Sequence, residues 1–124
     1  MYITALNATA HQTGTDDSLE VVGGKGRSLA RMAKAGFNVP SGFVITAAAY
    51  RAFVAANNLQ EKIVSLAKPA VVDGRVSFEQ ASHDIQALFA EHDPSAETTA
   101  EISQAYGPLD DAPVAVRSSA NAED

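Results

Sequence analysis

The stretch VVGGKGRSLARMAKAG, Val21 to Gly36, crowds Gly23, Gly24 and Gly26 around Lys25 immediately before a helical pattern, and the rest of the chain is read outward from it. Glycine loses more backbone freedom on folding than any other residue, so such a cluster is costly unless the backbone must turn tightly or be approached closely. From Lys25 to Ala35 the apolar side chains Leu29, Met32 and Ala33 recur at helical spacing, and Gly36 falls where a left-handed cap ends a helix. The spacing predicts a helix of about three turns whose N-terminus carries glycines and a cation.

Amides exposed at a helix N-terminus attract anions, and glycines let a ligand reach the backbone. Two familiar phosphate motifs are absent. A P-loop places Ser or Thr after its lysine, where this chain has Gly26, and a dinucleotide fingerprint counted from Gly24 ends on Leu29 instead of glycine. Lys25 in the first helical turn opposes the positive end of the helix dipole, typically at a cost of ~0.3–1 kcal/mol, and a bound phosphate reverses that cost. A plain turn with a solvated lysine accounts for the same residues, so spacing alone leaves both readings open.

Before this stretch, YITAL (Tyr2 to Leu6) has the composition of a short strand, and NATAHQTGTDDS (Asn7 to Ser18) that of a loop. After it, Phe43, Val44 and Ile45 form a short strand behind a turn at Pro40 and Gly42. Thr46 then caps a helix with Ala49, Phe53 and Ala56 inward and Tyr50 at its edge, ended by Asn57 and Asn58. Leu59 to Ala70 holds a short helix stopped before Pro69, and VVDGRVS reads as a connection with a turn at Asp73 and Gly74. Ser77 and Gln80 have capping-box spacing ahead of a helix that buries Phe78, Ala81, Ile85, Leu88 and Phe89. Asp93 and Pro94 open another helix running to about Tyr106. Val114, Ala115 and Val116 form an apolar run expected to be a strand, which leaves Arg117 at its end, facing a cleft.

Composition narrows the classes. A chain of 124 residues, 46% hydrophobic and 19% charged, supports one domain with a single core. Its net charge of −6 gives no broad basic surface, so neither nucleic acid nor an anionic membrane is an expected partner, and any phosphate site must be local. The absence of cysteine excludes disulfides, thiolate metal sites and cysteine nucleophiles and fits a reducing compartment, so a cytoplasmic location is expected. No signal-peptide pattern and no membrane-spanning apolar run is present.

Arg117 with Ser118 and Ser119 offers a planar fork and two hydroxyls to phosphate oxygens, although an arginine at a strand end pairs equally well with a structural carboxylate. Three ordered blocks, GGKGRSLARMAKAGFNVPSGFVIT, AYRAF and PVAVRSSANAED, resemble the start of the nucleotide-binding domain of the phosphoenolpyruvate synthase and pyruvate phosphate dikinase family, which rifampicin phosphotransferases share. The resemblance spans Val21 to Asp124 and is weak between Asn57 and Asp111. It implies an ATP-grasp fold in which ATP, with Mg²⁺, lies between two subdomains and passes a phosphoryl group to a histidine on a separate domain, and from there to pyruvate. It carries ATP-phosphate contacts over to Lys25 and Arg117, with Gly23, Gly24 and Gly26 as the supporting loop and Ser118 and Ser119 as further candidates.

No catalytic residue and no metal ligand is assigned within the chain: Glu123 and Asp124 belong to the arginine block, and His11, His83 and His92 read as ordinary surface residues. Residues 1–124 are expected to be the N-terminal subdomain of a partial nucleotide-binding domain, a kinase-type phosphotransferase in full length and inactive alone. A rifampicin phosphotransferase, or a free-standing nucleotide-binding or interaction module, is the alternative. The expected fold is α+β, with four or five helices on a small sheet that includes the segments near Ile3, Val44 and Ala115; the competing architecture is an all-helical bundle. The expected core is Leu29, Met32, Phe43, Ile45, Phe53, Ile85, Leu88, Phe89, Val114 and Val116.

Overall fold

β-Branched and aromatic residues at the start of the chain form strand β1 (Ile3–Ala5), which pairs antiparallel with β2 (Phe43–Ile45) so that Thr4 faces Val44 across the ladder. The pairing runs on past both ends, because the Leu6 amide donates to the Gly42 carbonyl at 3.0 Å and the Thr46 amide to the Tyr2 carbonyl at 2.9 Å. The computed structural model describes residues 2–6 and 18–122. Of the loop expected from Asn7 to Ser18 only Ser18 falls among them, and His11, Glu123 and Asp124 lie outside.

Helix α1 (Leu19–Lys34) packs on β2. A Cβ added at Gly26 would stand 3.4 Å from Val44 Cγ2 and 3.0 Å from Val22 Cβ, so the missing side chain is what lets helix and strand lie this close. The helix closes as the sequence predicts: Gly36 is left-handed at φ 88°, its amide donates to Ala33, and the Phe37 amide reaches back to Met32 at 3.0 Å. Helix α5 (Ala96–Tyr106), continued by a 3₁₀ turn at Gly107–Leu109, joins the same unit through the Glu101 carboxylate, which accepts the Tyr2 amide at 2.6 Å.

The chain divides into two compact units, residues 1–50 with 96–124 and residues 51–95. Helix α2 (Ala47–Ala56) starts in the first and ends in the second with Asn58 in the left-handed region at φ 54°, while the Leu59 amide donates back to Val54 at 3.0 Å. That cap turns Leu59 inward, where it is 0% exposed. Within the second unit α3 (Gln60–Leu66) packs on α4 (Glu79–Ala90), and Phe53 meets Phe89 edge to face at 5.3 Å.

The α+β class holds and the all-helical bundle does not, since among the described residues antiparallel ladders are present alongside five α-helices. Several particulars differ from expectation. The strand expected over Val114 to Val116 does not form, so Arg117 ends no strand; among the described residues β1 and β2 pair only with each other, and β propensity becomes a strand only beside a partner. Val114 is accordingly 48% exposed and Val116 93%, and Met32 and Ile45 are exposed as well. Leu29, Phe43, Phe53, Ile85, Leu88 and Phe89 are half-buried, and the fully buried apolar residues are Val22, Ala49, Val54, Leu59 and Ala81. The helical spacing found Ala49 and Ala81 and fell one residue from Val54, whereas Val22 and Leu59 lie outside the periodic faces it identified.

The connection VVDGRVS is a hairpin, β3 (Ala70–Val72) and β4 (Arg75–Ser77), turning through positive φ at Asp73 and Gly74. The capping box at α4 is not made: the Ser77 hydroxyl accepts the Glu79 amide, and Gln80 turns away to Asp84 at 2.8 Å. Phe78 is exposed ahead of the helix and Ala56 at the end of α2. Helix α5 begins at Ala96, two residues past Pro94, a difference on the scale of an ordinary helix end.

Candidate functional site

Gly23 interrupts α1. With φ 71° and ψ 177° it occupies a region essentially closed to residues bearing a Cβ, so one turn from Leu19 to Val22 ends there and a second helical segment starts at Gly24. The restart gives Lys25 the position inferred from sequence, in the first turn of a helix running to Lys34, although the continuous helix opens earlier, at Leu19. The expected helix beginning was therefore a restart within a longer element.

The group that comes close to these glycines belongs to the chain itself. The Gly24 amide donates to the Ala120 carbonyl at 3.0 Å, the Gly26 amide donates to Ser119 Oγ at 3.1 Å, and the Ser119 hydroxyl donates to the Val22 carbonyl at 2.7 Å. A Cβ on Gly23 would stand 2.7 Å from the Ser119 carbonyl carbon, a distance that real contacts do not reach. Gly23 occupies the N-cap place of the restarted helix but has no side chain with which to cap it. Ser119 supplies the missing oxygen to the third residue of the segment, as an N-cap side chain does from within its own helix.

Lys25 thus sits between two amides fixed to Ser119 and Ala120, and Arg117 lies two residues before the serine; both cations are exposed. Gly23, Gly24 and Gly26 meet Ser119 and Ala120 within the first unit, with Lys25 between the two tied glycines and Arg117 and Ser118 just before the serine along the chain. Segment 117–120 thus supplies its own oxygens to the amides at this helix start, and the two segments joined there carry one lysine and one arginine. The Ser119 hydroxyl already has two backbone partners.

His83 and His92 belong to the second unit, His83 beside its neighbour Asp84 at 3.9 Å and His92 with Nδ1 2.8 Å from the Leu88 carbonyl oxygen. Among the described residues no group of three or more histidines and carboxylates is placed to hold a metal ion. No helix among them is long and apolar enough to cross a membrane. Sequence reasoning missed the role of Ser119 as a remote cap; its available signal was a helix start with glycine where Ser, Thr, Asp or Asn ordinarily stands. The side-chain cap expected from Thr46 is not made either: its hydroxyl is buried at the start of α2 without a hydrogen-bond partner, and only its carbonyl accepts the first helical amide, that of Ala49.

Helices on small antiparallel sheets, with a glycine-bounded helix restart joined to an arginine-bearing segment, define an α+β domain with a local cationic site. Residues 19–124 match the family described as pyruvate phosphate dikinase, AMP/ATP-binding domain, and the chain belongs to that family. It is similar to the probable phosphoenolpyruvate synthase of Methanocaldococcus jannaschii, 37% identical over 89% of this chain and 10% of the relative. It is 40% identical to the phosphoenolpyruvate synthase of Deinococcus radiodurans over 86% of this chain and 14% of the relative. With the phosphoenolpyruvate synthase of Pseudomonas aeruginosa it shares 39% identity over 99% of this chain and 16% of the relative. The chain thus spans 10% to 16% of the length of these relatives.

Proposed function

We propose that Lys25 and Arg117 bind the β- and γ-phosphates of ATP in the N-terminal part of a phosphotransferase of the phosphoenolpyruvate synthase type. The observation that carries this reading is the pair of bonds from Gly24 and Gly26 to Ala120 and Ser119, because it fixes the lysine-bearing turn against the arginine-bearing segment. Arginine meets phosphate oxygens through a planar fork and lysine as a compact charge, so together they neutralise and orient a triphosphate. Such sites act by positioning and by stabilising charge that develops on the transferred group.

The phosphoryl group passes to a histidine on another domain and from there to pyruvate. The names of the relatives favour that acceptor over an antibiotic hydroxyl. Mg²⁺ would accompany ATP, held by ligands on the remainder of the full-length enzyme. The lack of cysteine fits the cytoplasm as the compartment.

A chimaera in which this chain replaces the matching segment of the Deinococcus radiodurans relative tests the assignment. ATP-dependent turnover of pyruvate is expected, and Lys25→Ala and Arg117→Ala should each lower it about 100-fold, the scale for loss of one transition-state donor. Normal turnover in either variant of an active chimaera would remove that residue from the site.

A further inference from the structure

We infer that Ser119 is a positioning residue, a hydroxyl latch that sets where Arg117 stands relative to Lys25, and not itself a phosphate ligand. The inference rests on the reading of Lys25 and Arg117 as triphosphate contacts. Its geometry is independent of that reading. Ser119 Oγ accepts from the Gly26 amide and donates to the Val22 carbonyl, so it bridges the two sides of the break in α1. A hydroxyl has one proton to donate, and that proton points at Val22 at 2.7 Å. To contact a phosphate as a donor, Ser119 would have to leave the carbonyl of a buried residue without its partner.

Three features make the latch directional. Gly23, at φ 71°, leaves no room for a side chain between the helix break and the backbone of Ser119. The Ala120 carbonyl holds the Gly24 amide on the adjacent residue, so the segment is tied at two successive positions and cannot swivel about one bond. The side chains assigned to phosphate are offset from these ties, Lys25 between the two tied amides and Arg117 two residues before the serine. The ties act on the backbone at Gly24, Gly26, Ser119 and Ala120 and not on the cationic side chains.

The test compares Ser119→Ala and Ser119→Thr with Lys25→Ala and Arg117→Ala. It reads amide hydrogen exchange at Gly24 and Gly26 in this chain, and the affinities for Mg·ATP and for adenosine in the full-length chimaera, where the remaining walls of the nucleotide site are present. The expected result for Ser119→Ala is exchange at least tenfold faster at Gly26 and an affinity for Mg·ATP five- to tenfold weaker, with adenosine unaffected and the hydroxyl of Ser119→Thr restoring both. A merely structural role would weaken both ligands alike and so overturn the positioning role. Weaker ATP binding with unchanged exchange would make Ser119 a direct ligand and overturn the latch. If Ser119→Ala changed neither quantity while Lys25→Ala and Arg117→Ala still weakened ATP, the latch would fail and the phosphate assignment would stand. If Ser119→Ala sped exchange but neither cation variant affected ATP, the phosphate assignment would fail and the positioning role with it.

Discussion

Gly23 and Gly36 both have positive φ, yet they differ in what surrounds them, and that difference predicts different responses to the same substitution. At Gly36 nothing lies within 4 Å of an added Cβ, so Gly36→Ala meets only the left-handed backbone penalty, about 1–2 kcal/mol. At Gly23 the backbone region itself excludes a Cβ and the Ser119 backbone blocks the space. Gly23→Ala should therefore lose at least about 1–3 kcal/mol, and in addition faster exchange at Gly24 and Gly26 as the Ser119 segment is pushed off. Urea denaturation with exchange measured on the same samples checks both; equal losses with undisturbed exchange would mean that Ser119 does not close on Gly23. The glycines and both cations were legible as a site from residue type and spacing. The identity of the group that approaches them was not, because Ser119 and Ala120 are remote in sequence and reach α1 only through the tertiary fold.

Among the elements, those closed by local chemistry were the ones sequence could place. The left-handed cap at Gly36, the stop at Asn57 and Asn58 and the turn at Asp73 and Gly74 all sit where they were expected, because each depends on residues within a few positions. Elements that depend on a distant neighbour were misplaced. Val114 to Val116 has strand composition but no ladder partner, and Val22 is buried through contacts that no local pattern reports. The hairpin β3–β4 was missed although its signal was local: Asp73-Gly74 between the β-branched Val71-Val72 and Val76 is a hairpin signature. Burial at the α2 cap sets a further expectation. Leu59→Ala should destabilise the second unit by about 2–5 kcal/mol, whereas Val116→Ala, at a residue 93% exposed, should change stability by no more than about 0.5 kcal/mol. Thermal or urea unfolding of the two variants decides this, and a large loss at Val116 would mean that it is covered.

For the molecule as a whole, the span of the relatives bears on how strongly this chain alone holds a nucleotide. It covers 10% to 16% of their length, and its two assigned cations are exposed. Water screens exposed charges, so their contacts with a triphosphate contribute little until other walls exclude solvent. The expected affinity of this chain for Mg·ATP is therefore no tighter than about millimolar, equivalent to roughly 4 kcal/mol, without detectable transfer or hydrolysis. Micromolar saturation would instead identify a self-sufficient binding module. The most direct test of the central assignment is a titration of the chain with Mg·ATP followed by amide shifts, repeated with Lys25→Ala and Arg117→Ala. The account predicts shifts confined to Gly23 through Ser28 and Arg117 through Ala120, strongly reduced in each variant; shifts that fall elsewhere, or that survive both substitutions unchanged, would contradict it.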